Sequence, residues 1–574
     1  GPVFTSALKS IYFMFSRTLV ASCVLALALP GCATPPPRGP IDIHLVALND
    51  FHGNLEASKY TYQSAATGKS ETVRAGGIDT LGAALQAWRR EDKDLLLVAA
   101  GDLIGASPAL SSMWADEPSI EAMNMLGLSV SSLGNHEFDP GRKELLRQQN
   151  GGCDSPRPAK ACQLAPAFNG AKYAYLAANV IDSATGKTLV PAYRIEDVKG
   201  VKVGLVGAVL RDTPSVAVAS SIAGLTFLGE AESINQAIPQ MRAAGAKVFV
   251  VLIHEGGDTT EAPEKAGCDN LKGPIVDIVK KLDPAVRLVI TGHSHNGYLC
   301  KVDGRVVTQA DAAGHLLSRI RMSVVPATGA VAGIDVRNVV MKPGEYPADP
   351  KLSAYLATVQ ERSRAVLARP VARLGAPLVA HKENPAGESA LGDVIADAVV
   401  AATRAQGAQI GFMNSGGIRK DLEAGADLVA SFGQAQAVLP FGNTLVVMDL
   451  SGAQVRNLLE QQWKRPAASG DSTLQVSSGF SYRWDSTQPR GSRVVPGSVK
   501  LNGVALDDAK TYRIVANNFL AEGGDNFPEF AKGTNRVETQ IRDLDALIDY
   551  LARNQGVGGP APSLAPTARI EKLQ

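Results

Sequence analysis

What this sequence has little of narrows it first. Its 574 residues carry a formal net charge of +1, so nothing in the composition provides a strongly basic surface for nucleic acid. Aromatic residues make up only 5% of the chain. The six cysteines include no Cys-x-x-Cys pair, which argues against a cysteine zinc site of the usual spacing. The apolar run Leu19 to Leu29 is too short to span a bilayer. Glycine is plentiful, at 56 residues, which fits an α/β chain with many tight turns. The length allows more than one domain.

The N-terminus has the pattern of an export signal. Lys9 and Arg17 precede the apolar run, which ends in Leu29-Pro30-Gly31-Cys32. Small residues directly before a cysteine resemble the bacterial lipobox. The expectation is a lipoprotein signal over residues 1–31, diacylglycerol on Cys32, and a Pro-rich tether over residues 32–40. An ordinary signal peptide with an incidental cysteine is the alternative. The lipoprotein reading places the chain in a bacterial envelope, on the periplasmic side, anchored to a membrane and most simply the outer one. Export favours disulfides. Cys153 and Cys162 bracket a Pro-rich loop and are paired here, which leaves Cys268 with Cys300. Four cysteines allow three pairings, so the others stay open.

Five apolar runs, each reading as a buried strand, end in polar tips. Residues 43–48 lead into Asn49-Asp50-Phe51-His52-Gly53, and residues 95–100 into Gly101-Asp102. Residues 126–133 lead into Gly134-Asn135-His136-Glu137-Phe138-Asp139. Residues 248–253 lead into His254-Glu255-Gly256-Gly257, and 286–290 into Thr291-Gly292-His293-Ser294-His295. Five of the eight histidines lie in these tips, which points to one shared site. Strand ends are where α/β sheets present side chains to ligands. Asp, His and Asn together suit two divalent ions, and paired ions clamp both oxygens of a phosphoryl transfer.

These motifs together resemble those of the calcineurin-like metallophosphoesterases. With the C-terminal motifs below, the resemblance narrows to the 5′-nucleotidase family, which includes periplasmic UDP-sugar hydrolases. It implies an N-terminal four-layer α/β-β/α metallophosphoesterase domain over residues 41–345. A connecting helix and hinge would follow at 346–370, and an α+β substrate-binding domain at 371–574. It assigns Asp50 and His52 to one ion, Asp102 to both, and Asn135, His254 and His293 to the second. His295 takes a further position on the first ion, where the family often has glutamine. The ions would be Zn, Mn, Mg or Co. Two oxygens let a carboxylate such as Asp102 ligate two cations, which a neutral imidazole cannot do. His136 and Asp139 are the expected catalytic pair, with Asp139 holding one ring nitrogen while the other faces the phosphate. Asp139 as the cap of a helix starting near Pro140 is the structural alternative. The expected nucleophile is a metal-activated water.

The C-terminal half carries the substrate motifs. Asn414-Ser415-Gly416-Gly417-Ile418-Arg419 ends a strand, and a guanidinium offers paired hydrogen bonds to phosphate. The resemblance implies that Asn414 and Arg419 touch substrate. It places Phe441 and Phe519 on the two faces of a nucleobase, Asn443 at its edge, and Asp525 on the ribose hydroxyls. The backbone near Gly479 is expected to approach the ligand. Gly387 stands where family members often carry arginine, which leaves mono- against diphosphate preference open.

Helices are expected at residues 77–90, 233–243, 352–367, 390–404 and 451–463, with strands at 445–450, 494–501 and 512–516. The reading is a dimetal 5′-nucleotidase acting on nucleoside monophosphates, with UDP-sugars as further candidates. The enzyme alternatives are a cyclic-nucleotide phosphodiesterase/3′-nucleotidase or a thiohydrolase of the same superfamily. The non-enzyme alternative is a nucleotide-binding surface lipoprotein. Oligomeric state is not legible.

Overall fold

The computed structural model describes residues 38–463, 470–558 and 568–574. The expected export signal, Cys32 and most of the expected tether lie outside the described residues. Among those described, no helix is long and apolar enough to cross a membrane.

The five apolar runs form strands: β1 (Ile41–Leu48), β2 (Leu96–Ala99), β3 (Leu128–Ser132), β4 (Val248–His254) and β5 (Val286–Thr291). β1, β2 and β3 are parallel neighbours in a six-stranded sheet. β4 and β5 are parallel neighbours in a seven-stranded sheet. The predicted run 126–133 starts two residues too early. Leu126 closes the helix Glu117–Leu126, and Gly127 caps it at φ 79° before β3 begins.

Alternation along the strands builds the layers. In β1, Ile43, Leu45 and Ala47 face the same core as Val250, Leu252, Leu288 and Ile290, so the two sheets pack face to face. The intervening residues face outward. Val46 and Leu48 meet the helix Ile78–Glu91, while Val251 and Ile253 meet the helix Glu230–Ala243. Helix, sheet, sheet and helix make four layers. Strands buried on both faces read as unbroken apolar runs, which is why they stand out in the sequence.

The helix α1 (Pro350–Leu367) starts at Asp349, whose side chain accepts from the Lys351 N–H. Its Leu352, Leu356 and Val359 join the core of the first half, and Trp114 Nε1 donates to Ser363 Oγ at 2.9 Å. The buried residues of this helix thus pack mainly on the first half, while Leu367 at its end lies against Gly433 of the second.

The second half has its own five-stranded sheet and core. Its strands include β6 (Ile410–Asn414), β7 (Thr444–Ser451), β8 (Thr511–Asn517) and, at one edge, β9 (Thr534–Arg542). The expected strand at 494–501 is reduced to Lys500–Leu501. Pro496 lacks an N–H for the ladder and Gly497 turns at φ 74°. Both expected disulfides are formed, Cys153–Cys162 and Cys268–Cys300, the second across a neighbouring strand pair.

Candidate metal centre

The tips of β1 to β5 converge at the carboxyl ends of the two sheets. Two loops continue the ladder beyond the strands, with Asp50 N donating to Gly101 O (2.9 Å) and His52 N to Asp102 O (3.0 Å). Asp50, His52, Asp102, His293 and His295 all have positive φ, from 47° to 73°. That conformation is uncommon for residues other than glycine, and strain of this kind collects at functional sites. Glycines beside them allow the close approach. At Gly134 a Cβ would collide with the Asp102 carboxylate, and at Gly101 it would lie 2.8 Å from His254 Nδ1.

The donor atoms form two clusters, Asp50 with His52 and His295, and Asp102 with His254 and His293, each within 4.8 Å. In the first, His295 Nε2 lies 3.1 Å from both Asp50 Oδ1 and His52 Nε2. In the second, His254 Nε2 lies 3.0 Å from Asp102 Oδ2 and 3.1 Å from Asn135 Oδ1, and His293 Nδ1 lies 3.0 Å from the same Asn135 oxygen. Asp102 Oδ2 also stands 3.6 Å from His52 Nε2, so this one atom faces both clusters.

Two donors bound to one ion at about 2.1 Å stand roughly 3–3.4 Å apart, so these separations fit cations. Outer contacts aim the donors. His52 Nδ1 lies 2.7 Å from Gly105 O and His254 Nδ1 lies 2.7 Å from Ala100 O, which turns each Nε2 lone pair inward. Asp50 Oδ2 accepts from the His293 N–H and from Asn49 Nδ2, while buried Oδ1 has no hydrogen-bond partner. An orphaned carboxylate oxygen beside imidazole lone pairs is what a cation would satisfy. The charges agree. Burial by itself would lower His254, but Asp102 and Asp50 hold it up at about 10, so the two carboxylates draw positive charge. Burial together with neighbouring His254 pushes His293 down to about 3, which keeps it a neutral donor.

His136 and Asp139 sit at the rim. His136 Nδ1 lies 2.7 Å from Asp139 Oδ2, and the ring is edge-on to His52 at 5.2 Å. Burial opposes charge on His136, yet the Asp139 and Asp102 carboxylates raise its pKa. Asp139 does not cap the helix that follows, because that helix is Arg142–Asn150 with Gly141 before it; it ends the short 3-10 helix Asn135–Phe138.

The second half closes over this rim. Phe441 stacks on His136 with ring centroids 5.4 Å apart, and the Arg419 guanidinium lies 5.7 Å from the Phe441 ring. Arg419 is near enough to the centre to be influenced by Asp102, Asp50 and Asp139. Gln436 Nε2 donates to Ser107 O and Ser112 Oγ across the junction, Ala219 N to Glu522 Oε2, and Lys420 Nζ to Asn54 Oδ1. Asn414 and Asp525 lie side by side, Nδ2 to Oδ2 at 3.5 Å, and Ser472 Oγ donates to the same Asp525 oxygen. Thr444 N donates to Asn518 Oδ1 at 3.0 Å, which joins the segments of Asn443 and Phe519.

Gly479 departs from the expectation. The antiparallel partner of β6 pairs Leu474 with Asn414 and Val476 with Phe412, and Ser477 N donates to Gly411 O. Gly479 lies beyond Ser477, past the end of the strand opposite to the one that meets Asn414. Its positive φ of 88° serves a turn before Phe480 instead.

Two residues escaped the sequence reading. Glu137 is fully buried and accepts from the N–H groups of Gly134 (2.5 Å), Asp102 (2.9 Å) and Leu103 (2.8 Å), locking the turn that carries Asp102. Its signal was a glutamate three residues into a helical turn, as in a capping box. Asn49 fixes Asp50 and also ties to Asp311 O and Ala310 N. His315 lies outside the clusters, with Nε2 2.7 Å from Ser58 Oγ and its ring stacked on Tyr60.

Residues 43–297 match the family model of the calcineurin-like phosphoesterases, and residues 370–532 that of the 5′-nucleotidase C-terminal domain. The chain is similar to endonuclease YhcR of Bacillus subtilis, 28% identical over 518 residues, or 90% of this chain; it spans 40% of that protein's length. Cell wall protein Lmo0130 of Listeria monocytogenes is 29% identical over 584 residues, covering 97% of this chain and 73% of that protein. Among solved structures, the 5′-nucleotidase precursor from Thermus thermophilus is similar with a TM-score of 0.74 and 27% identity, covering 93% of this chain and 99% of that one.

Proposed function

This chain belongs to the family that joins a calcineurin-like phosphoesterase domain to a 5′-nucleotidase C-terminal domain, and we propose that it hydrolyses nucleoside 5′-monophosphates from the envelope side of a membrane. It is a metal-dependent phosphoester hydrolase with two candidate metal-ligand clusters. The observation that carries the substrate reading is the meeting of the halves, with Phe441 stacked on His136 at the rim of the centre and Arg419 over the Phe441 ring.

Asp50, His52 and His295 would hold one ion, Asn135, His254 and His293 the other, and Asp102 both. Bound divalent ions supply charge stabilisation to the phosphoryl group and activate a water. The chain's own residues do the rest. Asp139 orients His136 and favours its charged form, so the free ring nitrogen can stabilise or protonate the leaving oxygen. Arg419 adds a planar pair of N–H donors for phosphate oxygens. Phe441 and Phe519 would receive the base, Asn443 its edge and Asp525 the ribose. Because α1 packs on the first half, a pivot between the halves falls after Leu367, near Pro370. Opening would break the Gln436, Glu522 and Lys420 contacts together.

An envelope location is supported by the lipobox-like Leu29-Pro30-Gly31-Cys32 and by the similarity to a cell wall protein. Lipid on Cys32 belongs to this proposal and is checked by mass spectrometry of the membrane fraction. The activity test, with added Mn or Zn and beside an Asp102→Ala control, follows by chromatography the conversion of AMP to adenosine and phosphate, of UDP-glucose to UMP and glucose 1-phosphate, and of 2′,3′-cyclic AMP to the nucleoside monophosphate. AMP turnover is expected. Turnover of the cyclic nucleotide without AMP would replace this reading with the phosphodiesterase one.

A further inference from the structure

The edge strand β9 has a geometry that sheet pairing does not need. From Thr444↔Arg542 to Val446↔Glu538, a two-residue step on β7 spans four on β9. From Val447↔Val537 to Asp449↔Thr534, two span three. Gln540 and Asn535 fall in these two irregular stretches with φ of 60° and 48°. Bulges of this kind bend a strand and re-aim its side chains. Arginines on an ordinary edge strand point to water and discourage pairing with other chains. Here they turn back onto main-chain carbonyls. Arg542 Nη1 donates to Gly442 O at 3.1 Å, between Phe441 and Asn443. Arg536 Nη2 donates to Ala521 O at 3.1 Å, on the segment of Phe519 and Asp525, and Nη1 to Phe530 O at 3.2 Å, in the turn of helix that follows it. The junction after β9 adds Asp543 N to Asn443 O at 2.8 Å.

We propose that Arg536 and Arg542 are positioning residues that set the spacing and orientation of the two segments forming the nucleoside slot. The inference rests on the reading that Phe441 and Phe519 receive a base. The chemistry suits arginine, because a rigid fork can hold two carbonyls at fixed separation and an ammonium cannot. It also gives the bulges a purpose, since they bring guanidinium groups of one strand to both segments.

The test uses the full chain loaded with Mn, comparing R536Q, R542Q and R536K with wild type. Two substrates separate the roles: AMP, and p-nitrophenyl phosphate, which has no nucleoside. R536Q is expected to raise KM for AMP by about tenfold with kcat nearly unchanged, the size of a weakened base stack. p-Nitrophenyl phosphate turnover should stay within about twofold of wild type, and R536K should recover part of the AMP affinity. Amide exchange in the substrate-free protein should quicken over residues 518–526 in R536Q and over 441–443 in R542Q. An unchanged KM for AMP, or equal losses on both substrates, overturns the proposal. If wild type cleaves p-nitrophenyl phosphate but not AMP, the nucleotidase reading falls. The exchange measurement then still decides whether the arginines fix these segments, and unchanged exchange overturns that too. R542Q and R536K keep the test open if R536Q does not fold.

Discussion

At the metal centre, Asp50, His52, Asp102, His293 and His295 sit at positive φ, and Asp50, Asp102, Asn135 and His254 are at most 2% exposed. In the second half, Phe441, Asn443 and Phe519 are half-buried, the first two in the turn between the helix Phe432–Val438 and β7, the third in the short helix Asn518–Ala521 after β8. The first region is held by backbone strain, buried N–H donors and glycine-lined turns. The second is held by side chains reaching carbonyls from a bulged edge strand. The comparison separates two kinds of preorganisation. A donor cage around cations must be rigid, because its geometry decides whether chemistry happens. A base slot can be adjustable, because its geometry decides mainly how well substrate binds. Damage to the first should therefore be all-or-none in kcat, and damage to the second graded in KM.

The sharpest way to break that comparison is Asp102→Ala. Losing the atom that faces both clusters is expected to bring turnover to background and to remove metal from the purified protein, read by elemental analysis. A variant that kept both ions and its activity would end the shared-carboxylate account. Next in size, His136→Ala should lower kcat by about 10²–10⁴-fold, the usual worth of a proton-transfer group, with metal content retained. Loss of metal in that variant would move His136 from the rim into the cage.

Phe519→Ala tests the other half. KM for AMP should rise by roughly 5- to 100-fold, as for one lost stacking face, with p-nitrophenyl phosphate little affected. A fall in kcat on both substrates would show that the two halves do not divide the work. The smallest effect concerns stability. Asp543, beside Asn443, is 2% exposed, and burial raises its pKa to about 7. The folded chain then keeps a proton that the unfolded chain releases near pH 4. The associated stability is complete below about pH 4 and falls as pH rises to 7, by at most a few kcal/mol. Asp543→Asn should flatten urea-melt stability across that window, and an unchanged slope would show that Asp543 is charged throughout.

Much of the first half was legible because its strands are buried on both faces and end in unlike residues. An apolar run such as residues 248–253 followed by His254 signals both a strand and its tip. The second half was less legible for physical reasons. β9 reads Thr-Asn-Arg-Val-Glu-Thr-Gln-Ile-Arg, mostly exposed, with bulges that destroy period-two alternation. The backbone near Gly479 was expected at the ligand, but strand register carries it to the end of β6 away from Asn414. α1 was legible as a helix, yet only its packing assigned it to one half.

The sequence by itself determined the kinds of donor, their order along the chain, and the strand ends that hold them, since these follow from local periodicity and residue chemistry. Only the tertiary structure decided that one oxygen of Asp102 faces both clusters, that Glu137 and Asn49 hold the carboxylates in place, and that arginines of β9 reach the carbonyls of Ala521 and Gly442. Those facts depend on how backbones far apart in the chain approach and turn. Such separations are set to a few tenths of an ångström by the packing of the whole molecule, and no short stretch of residues encodes them.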